Sequence, residues 1–438
     1  VRATSFDEQH VEKLLASVRK KMSTLPSDDP KYAGYGDVAV LLQTKQELGG
    51  SSLTKLKKIL ELVSDDGVLR NQYLHIGAGQ SYRTSGRGVQ MQNLKRLGAQ
   101  VDDLDELDND DIAWTNTELG RNIRQVFTAR DPKGELIVGD FSSIESRMLA
   151  YLAGATKKLQ AYARGMDLYK VQAADIYHVD YADVTKEQRQ TGKVGELSCG
   201  YQAGGGAVQA FAAKMGVHMS EAEAADLVTK WRLANPEIVD LWARLDVLLD
   251  EGLASSRGWA SIGLANGLTA KVVQVETPSS LLAAHPGAQS IEVQIILATG
   301  EVYMTRVFHG VYRRGRQLCY YKPDERAGQL WKSFYQDPKT KQRKWYSIYG
   351  GKLSGIITQS MARELFFETL QAVDRWVQNT DGVALVGQFH DEIVLDWTPL
   401  AGGSVDFVCD VLEGFMTSTH LKGFPLGAEV KHAYRYTK

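Results

Sequence analysis

The stretch VALVGQFHDEIVLDW, Val383 to Trp397, constrains the fold of this chain more than any other. Two apolar runs of strand length flank His390, Asp391 and Glu392, so a tight turn presents ionisable groups between two buried strands. A carboxylate held there is costly unless a charge of opposite sign compensates it. A second acid comes from IVGDFSSIESRMLAYLAG, Ile137 to Gly154. Its apolar strand, ELIVGD, ends on Asp140, and a helix begins at about Ser143. If this strand lies beside the hairpin, Asp140 and Asp391 converge, and two hard carboxylates can share Mg²⁺ with water and phosphate oxygens. A local reading competes. An Asp before a helix is often only an N-cap, and Ser142-x-x-Glu145 fits a capping box.

A third segment, KEQRQTGKVGELSCGYQAG, runs from Lys186 to Gly204. On a helix, Arg189, Lys193, Leu197 and Tyr201 recur every four residues and share a stripe. Two cations one turn apart, followed by an apolar group and a tyrosine, suit the phosphates, sugar and base of a nucleoside triphosphate. A basic solvated face fits the same spacing. Gly192 and Gly195 weaken such a helix and predict close packing or mobility. No GxxxxGK[ST] pattern occurs, which excludes a Walker-type loop.

Composition adds bounds. The 438 residues are 43% hydrophobic and 24% charged, ordinary for a globular protein with two or three subdomains. Three scattered cysteines form no metal-binding pattern and predict a reducing, cytoplasmic setting. No apolar run is long enough to span a membrane. The net charge of −2 conceals its distribution: residues 301–350 carry 11 Lys/Arg against 4 Asp/Glu, interleaved with aromatics such as Tyr312, Trp331 and Trp345. That stretch suits phosphate binding and base stacking, or equally a small sheet with buried rings. The acidic run VDDLDELDNDD, Val101 to Asp111, lacks the glycine of a calcium loop and reads as a solvated loop. Helical spacing covers 7–24 and 52–64. Gly77 to Asn93 reads as loop or extended chain, and residues 265–350 as strand-rich. TQSMARELFFETLQAVDRWV and Ser404 to Ser418 read as helices, and LGAEVKHAY as a strand. Helices on a mixed, partly antiparallel sheet make an α+β fold.

In chain order, DFSSIESR, RQTGKVGELSCGYQ and FHDEIV resemble motifs A, B and C of family A DNA polymerases. YRTSGRGVQMQN resembles the family's segment upstream of motif A, with Arg83, Gln92 and Asn93 on its Arg, Gln and Asn. TQSMAREL resembles the helix whose glutamine, here Gln359, reaches the primer–template minor groove. GGKL and GRGVQMQN look most like the phage branch, and the resemblance spans roughly residues 50 to 438.

The resemblance implies a right-hand fold of palm, fingers and thumb around a mixed, mainly antiparallel palm sheet. Residues 1–75 would form a thumb, full or shortened, and 76–160 the first part of the palm. The fingers would span 161–264 and a strand-rich basic insertion 265–350, with 351–438 completing the palm. It implies template-directed DNA synthesis, with dNTPs added to a primer 3′-hydroxyl and pyrophosphate released. Two Mg²⁺ ions, replaceable by Mn²⁺, would be held by Asp140, Asp391 and the Phe141 carbonyl, with Glu392 in support. Arg189 and Lys193 would bind the triphosphate, with Lys193 also stabilising developing charge. Leu197, Phe141, Glu145 and Tyr201 would complete the nucleotide pocket. Arg83, Gln92, Asn93, Gln359 and His390 would hold DNA. The partners implied are primer–template and dNTPs, with no membrane, and the protein would be a monomer in the cytoplasm, a host's if phage-encoded.

Departures from the family pattern matter too. Leu197 stands where an aromatic residue is usual, and Gln202 where a glycine follows the tyrosine. The 139 residues before Asp140 leave no room for a 3′–5′ exonuclease domain, which predicts a chain without proofreading unless a longer native chain carries it. A single-subunit RNA polymerase would share the two aspartates but is expected to have a small residue at Glu145 and serine at Glu392. A non-catalytic DNA-binding scaffold would not need Asp140, Asp391, Arg189 and Lys193 intact.

Overall fold

The computed structural model describes residues 8–26, 29–48, 51–78, 81–94, 123–324, 330–337, 340–399 and 403–436. The acidic run Val101 to Asp111 lies outside them.

Helices α1 (Glu8–Met22), α2 (Pro30–Leu48) and α3 (Ser51–Leu62) come first. Leu15, Val18 and Leu42 bury the contact between α1 and α2. Strands β1 (Tyr73–Ala78) and β2 (Arg83–Gly86) follow as an antiparallel hairpin, then a 3₁₀ turn at Met91–Asn93. β3 (Glu135–Phe141) leads into α4 (Ile144–Ala153), which stops on Gly154 at φ +73°, a left-handed C-cap that glycine adopts at no steric cost.

A block of helices comes next: α5 (Thr156–Ala163), α6 (Leu168–Tyr177), α7 (Lys186–Cys199), α8 (Gly205–Lys214), α9 (Glu221–Ala234) and α10 (Pro236–Ala254). Their starts are written locally. Asp167 caps α6 through the amides of Tyr169 and Lys170. Thr185 with Gln188, and Ser220 with Glu223, form reciprocal capping boxes on α7 and α9. Pro236 opens α10, where its missing N–H leaves no bond unmade. The expectation that Gly192 marks close packing holds: a Cβ there would stand 2.2 Å from the Tyr169 carbonyl oxygen.

The strand-rich region contains β4 (Trp259–Gly263), β5 (Thr269–Val275), the short helix α11 (Ser279–Ala284), β6 (Gln289–Ile296), β7 (Val302–Arg314), β8 (Gln317–Pro323), β9 (Trp331–Lys332), β10 (Phe334–Gln336), β11 (Arg343–Trp345) and β12 (Ser347–Ile348). Its main sheet has the order β12-β8-β7-β6-β5-β4, with β9 beside β8 and with β10–β11 as a separate hairpin. The sheet therefore begins at Trp259, inside the range expected for the fingers. Its buried side chains, Val272, Val293, Ile295 and Met304 among them, join one continuous core with Leu245 and Leu248 of α10.

α12 (Gly350–Val377) runs through that same core, and β13 (Val383–Phe389), β14 (Glu392–Trp397), α13 (Val405–Thr417) and β15 (Ala428–Ala433) complete the fold. The second sheet has the order β13-β14-β3-β15, with every pairing antiparallel. Its two faces differ. Ile137, Phe141, Ile393 and Leu395 pack toward Leu412 and Met416 of α13, and a Cβ on Gly139 would lie 2.5 Å from the Met416 sulfur. The other face presents Leu136, Val138, Asp140, Glu392 and Val394, so strand alternation alone turns the acids away from the helices.

Candidate active site

Register brings the two motifs together. Asp140 pairs across the sheet with Glu392, and the Phe141 amide donates to the Asp391 carbonyl at 3.0 Å. Asp140 thus sits one residue from the end of β3 and Asp391 occupies the adjoining turn, both half-buried. His390 closes the turn at φ +58°, a left-handed conformation rare for a side chain of its size. Loss of solvent on one side, and then the nearby Arg83, drive its imidazole below the ordinary pKa range. Two carboxylates and the Phe141 main-chain carbonyl make a donor set of hard oxygens, suited to a divalent cation of the magnesium class. Among the described residues no cluster of three or more His, Cys, Asp or Glu side chains forms. A cation here would therefore complete its shell with water or phosphate oxygens, as expected where the substrate carries phosphates.

Glu392 is 3% exposed and accepts a hydrogen bond from the Tyr436 hydroxyl. Burial, and then the Glu392 charge, push the Tyr436 phenol well above its ordinary pKa, so it stays a donor. The Arg124 guanidinium lies 5.4 Å from the centre of the same ring.

Glu145 is the hub of a neighbouring polar network. Its carboxylate pairs with Arg83 Nη2 at 2.6 Å and accepts from the Tyr201 hydroxyl at 3.1 Å and from Gln359 Nε2 at 3.2 Å. The capping-box reading fails. The N-cap of α4 is Ser143, held at φ +54° with no side-chain cap, and Ser142 lies outside the helix. Tyr201 also departs from expectation, since α7 ends at Cys199 and the tyrosine sits in the turn beyond Gly200. That turn packs Tyr201 against α12, where a Cβ on Gly355 would approach its ring to 3.1 Å. Burial, and then the adjacent Glu145 charge, hold its phenol protonated.

Arg189 and Lys193 project from α7 as expected, and they flank the Tyr169 ring, 5.3 Å and 5.7 Å from its centre. Arg189 Nε also pairs with Asp167 at 2.5 Å, so the residue that caps α6 holds a cation of α7 as well. Leu197 is exposed on the same helix. Gln92 fills the space beside Gly86, while Asn93 is exposed, bonds Gln90, and accepts from Lys55 Nζ through its carbonyl at 2.7 Å.

Several partners carried no sequence signal. Tyr436 and Tyr169 belong to no motif. Glu196 lies inside the α7 motif but faces inward, pairing with buried Lys158 at 2.6 Å and accepting from Ser146. Asp167 was detectable only as a helix cap.

Comparisons with known proteins bear on the fold and the family resemblance. Residues 40–245 match the family described as DNA polymerase family A. The chain is 29% identical over 416 residues to a DNA polymerase of Bacillus phage SP02, covering 89% of this chain and 56% of the relative. It is 29% identical over 121 residues to DNA polymerase I of Geobacillus stearothermophilus, covering 28% of this chain and 13% of that one. The chain thus spans little more than half the length of the phage relative and a smaller part of the bacterial one. A solved structure, the POL domain of Pol1 from M. smegmatis in complex with DNA primer-template and dNTP, matches with a TM-score of 0.54 at 14% identity, covering 98% of this chain and 66% of that one. The fold is that of a polymerase domain. In sequence the chain is thus similar to DNA polymerase family A over residues 40–245 and to the phage polymerase over most of its length.

Proposed function

We propose that this chain carries out template-directed DNA synthesis: the primer 3′-oxygen bonds to the α-phosphorus of a dNTP, and the bond to pyrophosphate breaks. The observation that carries the reading is the coupling of Asp140 and Asp391 across β3 and the hairpin turn, with Glu145 held nearby by Arg83, Tyr201 and Gln359. Asp140, Asp391 and the Phe141 carbonyl would hold two Mg²⁺ ions, with Mn²⁺ able to substitute. When bound, these lower the pKa of the primer hydroxyl and neutralise charge on the triphosphate.

The chain's own residues do the rest. Arg189 and Lys193 bind the triphosphate from α7, and Lys193 steadies the charge that develops on the leaving group. Glu392, fixed by Tyr436, keeps the Asp140 face acidic and ordered. Glu145 and Tyr201 wall the pocket beneath the sugar, with Leu197 as its apolar contact; Phe141 takes part only through its main-chain carbonyl, because its side chain is buried in the core. Arg83, Gln92, Asn93, Gln359 and His390 hold primer and template. The protein works as a monomer in the cytoplasm, in the thumb, palm, fingers and insertion arrangement expected from its motifs. The hydrogen-bonded Glu145 favours DNA over RNA synthesis, because a single-subunit RNA polymerase needs space at that position.

The test is extension of a labelled primer–template by the purified protein with dNTPs and Mg²⁺. Stepwise addition directed by the template base is expected. A folded protein that binds the duplex but adds nothing, with either Mg²⁺ or Mn²⁺, would overturn the reading.

A further inference from the structure

Arg306 stands on β7 in the strand-rich insertion, outside every motif described above, and is 4% exposed. Its Nη2 donates to the Ser81 carbonyl at 3.0 Å and to Glu364 Oε1 at 3.2 Å. The guanidinium carbon lies 4.3 Å from the centre of the Tyr82 ring. A buried guanidinium survives only where charge and hydrogen bonds compensate it, and here they come from two elements of the palm.

Both elements lead to Glu145. Tyr82 adopts φ +55°, the left-handed region that a bulky side chain avoids unless its surroundings enforce it. The next residue is Arg83, the ion-pair partner of Glu145. Glu364 lies on α12, the helix that also carries Gln359, whose amide reaches the same carboxylate. Nothing in Arg83 or Glu145 themselves requires a guanidinium from a distant sheet.

The geometry points to Arg306 as a positioning residue: through it the insertion clamps the left-handed turn at Tyr82 and so fixes where Arg83 meets Glu145. The insertion is then a brace for the nucleotide pocket in addition to any contact it makes with DNA. The kinetic form of this inference rests on the proposed polymerase activity.

The test is a double-mutant cycle between Arg306→Met and Arg83→Ala. Arg306→Met keeps much of the stem and leaves Glu364 its second partner, Arg363 Nη1 at 2.7 Å. Expected is a loss of tenfold or more in kcat/KM for dNTP in the parent, shrinking to under twofold in the Arg83→Ala background, with partial recovery in Arg306→Lys. An equal loss in both backgrounds, or a loss under twofold in the parent, overturns the inference. If Arg306→Met does not fold, Tyr82→Leu, which removes the ring under the guanidinium, enters the same cycle under the same criteria. Amide hydrogen exchange supplies a readout free of activity: residues 81–86 should exchange at least tenfold faster in the variant while residues 135–141 stay unchanged. Unchanged exchange at 81–86 also overturns the inference. A parent that never extends primers refutes the polymerase reading, and the exchange result still decides this one.

Discussion

The Phe141 amide donates to the Asp391 carbonyl at 3.0 Å, so the last strand bond of β3 is made to the residue proposed as the second metal ligand. Asp140 cannot shift along β3 without breaking a ladder fixed on both sides of the strand, and the Phe141 bond ties the Asp391 turn to that strand. Replacing Asp140 or Asp391 by asparagine keeps shape and backbone and removes only charge. Primer extension should fall by at least ~10³-fold, or about 4 kcal/mol of transition-state stabilisation. Primer–template affinity should change little, as a gel-shift titration would show. Extension within tenfold of the parent would remove these residues from the metal site.

The hub at Glu145 separates two roles for one carboxylate. As a helix cap it would have contributed about 1 kcal/mol, but it makes no cap and is held by Arg83, Tyr201 and Gln359. If, as proposed, this carboxylate lies beneath the sugar, it leaves no room for a 2′-hydroxyl, and discrimination would come from a clash. Glu145→Ala should raise the rNTP/dNTP ratio of kcat/KM at least tenfold while lowering the overall rate. Leu197, smaller than the usual aromatic, would loosen the proposed pocket and so reduce the effect without reversing it. Ratios for dCTP and rCTP opposite one template guanine decide the point; an unchanged ratio excludes the gate.

What the sequence made legible, and what it hid, follows from packing. The β3 strand and the hairpin were readable because their apolar runs end abruptly at acids. The amphipathic part of α12 was readable from its spacing, but its first turns were not, because Gly350, Gly351 and Gly355 look like helix breakers. They are there for room: a Cβ on Gly350 would lie 1.8 Å from the Trp242 carbonyl oxygen, and one on Gly351 2.2 Å from Gln202 Cβ. Helix α2 was hidden in the same way by Gly34 and Gly36 within a weak apolar pattern. Asp140, Asp391, Glu145 and Arg83 stood in recognisable segments. Tyr436 and Arg306 could not be found, and Asp167 only as a helix cap, because the contacts that matter here join separate elements.

The pair between Lys158 and Glu196 tests a structural debt at the base of the helical block. Both side chains are under a tenth exposed, 2.6 Å apart, with the Lys158 ammonium also 5.2 Å from the centre of the Trp231 ring. Removing one partner strands a buried charge, so Lys158→Met should destabilise the protein by about 3–5 kcal/mol. Replacing both, as Lys158→Met with Glu196→Leu, should recover most of that loss. Thermal melts of the three proteins check it; a single variant as stable as the parent would show that water already compensates Glu196.

The basic insertion offers a graded test of DNA contact, because its exposed arginines are not equally available. Arg313 already pairs with Asp250 at 2.5 Å, although both are more than half exposed and water screens the pair strongly. Arg314 stacks 3.4 Å from the centre of the Trp345 ring, which leaves its charge intact but occupies the ring a base would need. Arg316 lies in the exposed turn between β7 and β8. If this edge grips phosphates, each free cation releases about 0.9 counterion on binding duplex DNA. Replacing all three by alanine should then flatten the slope of log K against log salt by roughly two units rather than three, because Arg313 has its own anion. Arg313→Ala alone should change the slope least, and Arg316→Ala should change it by about one unit. Fluorescence anisotropy of a labelled duplex across a salt series provides the slopes. Identical slopes in folded variants would show that the insertion's charge is solvated and that its aromatic pairs serve only the sheet.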